Sequence, residues 1–432
     1  MREMKDSGVE WIGKIPADWD MVNLSSIFGE RKRKNVGLEE RNLLSLSYGS
    51  VIKKDIDTSD GLLPVSFEGY NIIESGDIVL RLTDLQNDRR SLRTGLCKER
   101  GIITSAYCTL MKKMPEINSA YMQYYLHSFD ICKGFYGMGA GVRQGLNFDG
   151  IRKLVMLFPN AETQAQICAY LDAQTARIDE ALYLNRAQIE ELRLYKQSLI
   201  TETVTRGLDP DAPMKDSGVD WIGAMPESWS VQRVRDIGWT QNGISKKGDF
   251  FGSGFPFVSY GDVYRNYELP FSVSGQIESD AKERESYSVQ AGDIFFTRTS
   301  ETIDEVGFSC VCKKTIPEAV FAGFLIRLRP YKAESVILSD YAKYYFRSGH
   351  IRQYLTKEMN LVTRASLAQG LLKAMNVLIP PKKEQEAIAA FLDNKTAKID
   401  ALISLKQSKI EKLTRYRQSL IYEYVTGKKE AP

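Results

Sequence analysis

YLDAQTARIDEALYL at residues 170–184 and FLDNKTAKIDALISL at residues 391–405 are two versions of one phrase, 221 positions apart. Working outward, Tyr195-Lys-Gln-Ser-Leu-Ile200 returns as Tyr416-Arg-Gln-Ser-Leu-Ile421 at the same offset. Further back, MKDSGVEWIGKIPADW (4–19) returns as MKDSGVDWIGAMPESW (214–229), identical at 11 of 16 positions but offset by 210. Gly76-Asp77-Ile78 faces Gly292-Asp293-Ile294 between these anchors, at an offset of 216. The offset only grows, so the chain is a tandem duplication whose second copy has a longer middle. A period this long is a repeated domain-plus-helix unit and not a solenoid repeat.

The ends of both copies read as long helices. Residues 162–206 contain neither Gly nor Pro, with Pro159 before them and Gly207 and Pro210 after them as start and stop punctuation. Apolar residues step by four and three through Leu171, Ile178, Leu182, Ile189, Leu192 and Leu199. The second copy repeats the seam with Leu392, Ile399, Ile403, Ile410, Leu413 and Leu420. Such a stripe needs a long partner, which makes it a coiled-coil seam. The first helix carries 5 basic and 7 acidic residues over 162–206, and the second 8 and 6 over 383–427. Net charges of −2 and +2 suggest that the two pair with each other, and a duplicated scaffold makes the pairing antiparallel. Polar residues interrupt both seams at the same places, Asn185 with Lys406 and Lys196 with Arg417, where they would fix register.

The 432 residues are 43% hydrophobic and 26% charged, the balance of a soluble chain with real cores. Lys plus Arg total 58 against 55 Asp plus Glu, so any polyanion site must be a local patch. Only His127 and His350 supply imidazoles, which argues against histidine metal centres and Ser-His-Asp catalysis. Six scattered cysteines read as reduced core residues. MREMKDSG offers no apolar signal core and no run reaches membrane-spanning length, so the expectation is a cytoplasmic protein with no membrane partner.

The middles, near 20–158 and 230–379, carry short apolar runs broken by Gly, Asn and Asp (SGDIVLRLTD, GIITSAYCTLMK, AGDIFFTRTS, VGFSCVCKK). They read as strands joined by tight turns, followed by Tyr-rich helices at 121–135 and 341–355. The fold class expected is α+β: two mixed α/β domains separated by two long helices, with an internal pseudo-two-fold. Expected domains are 1–158 and 208–379, each followed by a helical spacer, 159–207 and 380–432. The two middles differ far more than the ends, so one scaffold presents two surfaces.

No catalytic or metal constellation emerges. GDFFGSGF (248–255) has the glycines of an adenosylmethionine loop, but a strand pattern follows where that loop needs a helix, so it reads as a turn. Cys310 and Cys312 alternate on a strand with no second pair to complete a zinc site. The polar stretch after the first Gly-Asp-Ile strand differs in character. Arg81, Thr83, Gln86, Asn87, Arg89 and Arg90 include the side chains that read base edges bidentately. Thr297, Arg298 and Thr299 stand at the equivalent place, and Arg143 in the Gly-rich run FYGMGAGVRQG (135–145), with Arg364 corresponding to it at the offset of 221, suits a phosphate backbone.

These features together resemble the specificity subunit of type I restriction–modification systems. The resemblance rests on WIGKIP…W and WIGAMP…W, on GDI, and on the Pro-x-x-x-x-Gln lead-in with its LD…T…ID helix. Those last positions are Pro159, Gln164, Leu171, Asp172, Thr175, Ile178 and Asp179, repeated as Pro380, Gln385, Leu392, Asp393, Thr396, Ile399 and Asp400. It implies two target-recognition domains, each reading half of a bipartite, asymmetric sequence in double-stranded DNA, with the helices setting the unread spacer. It implies no active site and no cofactor in this chain. Adenosylmethionine would belong to two methylation subunits, and ATP and Mg to restriction and translocase subunits. Two other readings fit part of the pattern: a self-contained methyltransferase, and a coiled-coil adaptor that binds no DNA.

Overall fold

In the computed structural model, residues 2–57, 64, 66–85, 92–138, 145–300, 305–331, 336–358 and 365–432 are described. The chain divides into two compact units, Met1–Arg186 with Gln407–Pro432, and Ala187–Lys406. Each takes in one middle and one part of each long helix.

In unit 1 a four-stranded antiparallel sheet runs in the order Phe28–Glu30, Cys108–Lys112, Ile78–Leu80, Thr94–Leu96. Four further antiparallel pairs accompany it among the described residues: Met4–Asp6 with Lys14–Pro16, Asn71–Ile73 with Gly101–Ile103, Leu44–Ser47 with Ser50–Lys53, and Asp20–Asn23 with Val155–Phe158. Helix Ser119–Ile131 is capped by Asn118, whose side chain accepts from the amides of Ala120 and Tyr121. Its tyrosines Tyr121 and Tyr125 are buried in one apolar core with Trp19, Phe28, Leu80 and Leu171. Unit 2 repeats the sheet order with Gly238–Asn242, Leu325–Pro330, Ile294–Thr297 and Ser309–Val311. Its extra length includes a three-stranded sheet of Gly275–Ile277, Phe251–Val258 and Val320–Phe321, the last pairing parallel. The GSG of 252–254 lies in the irregular start of that middle strand, with Gly252 at φ 105° and Gly254 at φ 98°, and not at a helix N-terminus.

The long helices are Ala161–Arg206 and Lys382–Val425. Leu171, Ile178, Leu182, Ile189, Leu392, Ile399 and Leu420 of the expected seam are buried. Leu192, Leu199, Ile403, Ile410 and Leu413 are half-buried, as fits a two-helix seam with solvent on both flanks. In unit 1 the rings of Tyr170 and Tyr424 lie 4.6 Å apart, and Arg417 Nε donates to Asp179 at 2.9 Å. In unit 2 Lys406 Nζ donates to Gln188 Oε1 at 2.6 Å, and Lys196 pairs with Asp400 at 2.7 Å. Partner numbers fall as the others rise, so the pairing is antiparallel within each unit. Lys196–Asp400 and Asp179–Arg417 are one ion pair made twice, 221 residues apart. The base lies on the first helix in one and on the second in the other, so the register comes from the duplication and not from the opposite net charges. Asn185 turns back to Ala181 O on its own helix at 2.7 Å and crosses to no partner among the described residues.

Gln164 and Gln385 explain the Pro-x-x-x-x-Gln lead-in. Each buried amide donates to the carbonyl of that proline, at 2.7 Å to Pro159 and 2.8 Å to Pro380. Each accepts from the residue that starts the Tyr-rich helix, Asn118 N at 2.9 Å and Leu338 N at 2.8 Å. One side chain therefore joins two helix starts and satisfies groups that burial would otherwise orphan.

Candidate nucleic-acid interface

The Gly-Asp turns before the second core strand are built alike. Gly76 N and Gly292 N donate to Cys97 O (2.9 Å) and Cys312 O (2.8 Å). The carboxylates accept from the amides of Glu74 and Gln290, both at 2.8 Å. The arginine that joins each carboxylate comes from a different strand. Arg31, just past the first core strand, meets Asp77, whereas Arg329 of Leu325–Pro330 holds Asp293 at 2.6 Å. Burial pushes the Asp77 carboxyl above its ordinary range, against the pull of Arg31 and the Glu74 amide. These are structural anchors that aim the strands leading to the candidate residues.

Beyond the strands the backbones still correspond. Arg81 N donates to Arg93 O as Thr297 N does to Phe308 O, both at 2.8 Å. Leu146 N donates to Leu82 O at 2.8 Å as Leu367 N does to Arg298 O at 2.7 Å. Arg81, Leu82 and Thr83 thus occupy the places of Thr297, Arg298 and Thr299. In unit 1 the segment is held from beneath by Arg93, which is fully buried. Its guanidinium donates to Arg81 O at 3.1 Å, Thr83 O at 2.8 Å, Asp84 O at 3.3 Å and the Tyr136 hydroxyl at 3.1 Å, and its amide donates to Asp130 at 2.7 Å. Asp84 sits at φ 57°, the left-handed region that Asp tolerates better than most residues. Thr83 is exposed above this anchorage and Arg81 half-buried.

In unit 2 Phe308 stands where Arg93 does, and a different arginine gathers carbonyls of other segments. Arg347, buried on the Tyr-rich helical segment, donates to Ser309 O (2.6 Å), Val263 O (2.8 Å), Tyr264 O (3.0 Å) and Asn266 O (2.8 Å). Burial lowers its pKa. Thr297 departs from the expectation of a base contact. It is wholly buried, its hydroxyl accepts from Phe308 N at 2.9 Å and donates to Glu305 O at 3.3 Å, so it shapes the turn from inside. Thr299 pairs with Ser366 in a short bridge, and Arg298, half-buried, makes no guanidinium hydrogen bond or ion pair among the described residues. Gln86, Asn87, Arg89, Arg90, Arg143 and Arg364 lie outside the described residues.

Nothing in either unit resembles a chemical centre among the described residues. No group of His, Cys, Asp and Glu could hold a metal there. Burial pushes the thiols of Cys310 and Cys312 up to about 12, which makes them inert core groups. The Tyr-rich helices serve packing: Tyr121 OH donates to Val425 O at 3.0 Å and Tyr341 OH to Val204 O at 3.1 Å.

Residues 226–415 match the model of the type I restriction modification DNA specificity domain. Over those residues the chain is similar to the type I restriction–modification specificity subunits. A specificity subunit of Methanocaldococcus jannaschii, that of the type I enzyme MjaVIII, is 20% identical over 96% of this chain and 94% of its own. The StySPI specificity subunit of Salmonella potsdam is 21% identical over 74% and 68%. With the putative MjaX subunit identity reaches 27%, over about half of either chain (48% and 47%). In fold, the chain is similar to a chain solved in work on assembly of a type I R-M system, with a TM-score of 0.71, 16% identity and 95% and 98% coverage. The HsdS subunit of Thermoanaerobacter tengcongensis gives 0.51 at 16% identity, with 96% and 98% covered.

Proposed function

We propose that this chain reads a bipartite, asymmetric sequence in double-stranded DNA, one half through domain 1–158 and the other through domain 208–379. The helical spacers 159–207 and 380–432 set the length between the halves. The chain works with two methylation subunits that bring adenosylmethionine to adenine, and with restriction and translocase subunits that use ATP and Mg. It needs no cofactor of its own and acts in the cytoplasm; among the described residues no helix is long and apolar enough to cross a membrane. Arg81, Thr83, Arg298 and Thr299, with Gln86, Asn87, Arg89 and Arg90, are its candidate base and groove contacts, and Arg143 and Arg364 its candidate phosphate contacts.

The observation that carries this reading is a duplicated scaffold whose buried joints repeat while its sheet ends differ. That is what two separate readers on one frame require. Mapping methylated adenines in DNA exposed to the chain with methylation subunits tests it: two short specified blocks flanking an unspecified gap are expected. A single continuous motif, or adenosylmethionine bound at micromolar concentration by the chain alone, would sink it.

A further inference from the structure

The turn between Val320–Phe321 and Leu325–Pro330 holds a large apolar ring out into water. Leu325 N closes the turn onto Ala322 O at 2.9 Å, and Gly323 N reaches Ile244 O at 2.8 Å. Ile244 N donates back to Phe321 O at 2.8 Å, and Ala322 N to Val258 O at 3.0 Å. Gly243 and Gly323 permit this closeness: a Cβ on the first would strike the carbonyls of Phe321 and Ala322, and one on the second the Ser245 hydroxyl. At the tip of this braced turn Phe324 is 65% exposed. A ring on a rigid turn cannot fold back to hide, so its exposure forfeits apolar burial for no gain in stability.

Its surroundings suit a base edge. Phe324 O accepts from Arg298 N at 2.9 Å, which sets Arg298 beside it. Asn242 ends the first strand of the same sheet, opposite Ile326. Its Oδ1 accepts from Gln369 Nε2 at 3.0 Å, and Gln369 Oε1 accepts from Thr240 at 2.8 Å. That chain of contacts fixes the amide so that Asn242 Nδ2 remains as the donor. Unit 1 offers different chemistry at each equivalent place. Register with Leu110 and Leu328 puts Ala106 where Phe324 stands and Lys32 where Asn242 stands, and Leu82 replaces Arg298.

We infer that Phe324 is a specificity-determining residue of unit 2, an apolar contact for the thymine C5-methyl in the major groove, flanked by Arg298 and Asn242 as hydrogen-bonding readers. This rests on the DNA-reading function proposed above and names the groups that carry it in one unit. Arginine is suited to guanine O6 and N7, and an apolar side chain to the thymine methyl.

The test uses the complex with its methylation subunits and binding titrations on targets in which each thymine is replaced in turn by deoxyuridine, which lacks only that methyl. The wild type should lose several-fold affinity at one position of one half-site. Phe324→Ala should abolish that sensitivity and leave the other half-site untouched, with Phe324→Leu keeping part of it. Arg298→Ala should relax discrimination about ten- to hundredfold at a neighbouring position of the same half-site. An unchanged thermal midpoint is expected for Phe324→Ala, since its ring supports no core. A Phe324→Ala complex with the wild-type deoxyuridine profile would overturn the inference while leaving two-site reading intact. A wild-type complex that prefers no sequence in either half would overturn both.

Discussion

Tyr124 in unit 1 donates to Asp172 at 2.6 Å and lies 3.4 Å from Thr175; Tyr344 in unit 2 donates to Asp393 at 2.6 Å and lies 3.1 Å from Thr396. Three residues further along the same helical segment the correspondence stops: unit 1 has His127 and unit 2 has Arg347. Where side chains face the long helices, the two units repeat each other; where they face the sheet and its loops, each has its own solution. His127 is buried with its Nδ1 unpaired among the described residues, while Arg347 spends its guanidinium on four carbonyls. Constraint follows the partner. A helix seam accepts few geometries, whereas a sheet end can be braced by any donor that reaches the loop carbonyls.

The sharpest way to break this comparison is to remove a brace from one unit. Arg93→Ala orphans three loop carbonyls in the interior of unit 1 and should cost about 3–5 kcal/mol. Hydrogen exchange should show unit 1 opening earlier with unit 2 unchanged; equal protection in both would contradict the assigned role.

A pH titration separates the units next. Burial, with Arg417 adding to it, pushes the His127 pKa down to about 4 from the ordinary 6.5. The unfolded chain then binds the extra proton first. Stability from this group is whole above pH 6.5 and falls away as pH drops toward 4, by at most about 3 kcal/mol. His127→Phe should flatten that acid loss in unit 1, and the melting curve between pH 7 and 4 is the measurement.

Tyr124→Phe and Tyr344→Phe sharpen the likeness. Each deletes one hydroxyl bond to a carboxylate, worth about 1–2 kcal/mol. The loss should be larger in unit 2, where the bond is more shielded and Asp393 has a second partner. Burial resists ionisation of Asp393, but Lys343 and Tyr344 outweigh it and hold its carboxyl below the usual range. Urea unfolding of the two variants side by side gives the difference.

The smallest effect belongs to the duplicated ion pair. Asp179→Asn and Asp400→Asn should each cost under about 1 kcal/mol, because both carboxylates are largely in solvent. The cost should fade in 1 M salt for both alike. An effect confined to one of them would mean that the pair is not the same interaction made twice.

The long helices were legible because their evidence is local: absent Gly and Pro, a four-three apolar step, and a near-verbatim second copy. Sheet order was not, since pairing Cys108–Lys112 between Phe28–Glu30 and Ile78–Leu80 depends on long-range register. Among candidate contacts, Thr297 was misjudged because a hydroxyl turned inward onto Glu305 and Phe308 looks, in sequence, like one turned outward. Arg93 carried no mark at all; a lone arginine between Leu92 and Thr94 does not announce that it will bind three carbonyls. Phe324 was hidden in FAGFLIRLRP, where it passes for one more strand residue. Gly323 beside it was the one available hint, since a glycine before an apolar run signals a turn.

Unit 1 is assembled from residues 1–186 and 407–432, and this has a consequence for how a ribosome can make it. Tyr121 waits for Val425, and Trp11 O waits for the Tyr422 hydroxyl, 411 positions later in the chain. Unit 2 is contiguous and can close while synthesis continues, so the first unit to be translated is the last to be finished. Until then its apolar face must be sheltered from other nascent chains. A premature stop near residue 406 would leave unit 2 complete in sequence and unit 1 permanently open, a product for proteases to remove and not half a working reader.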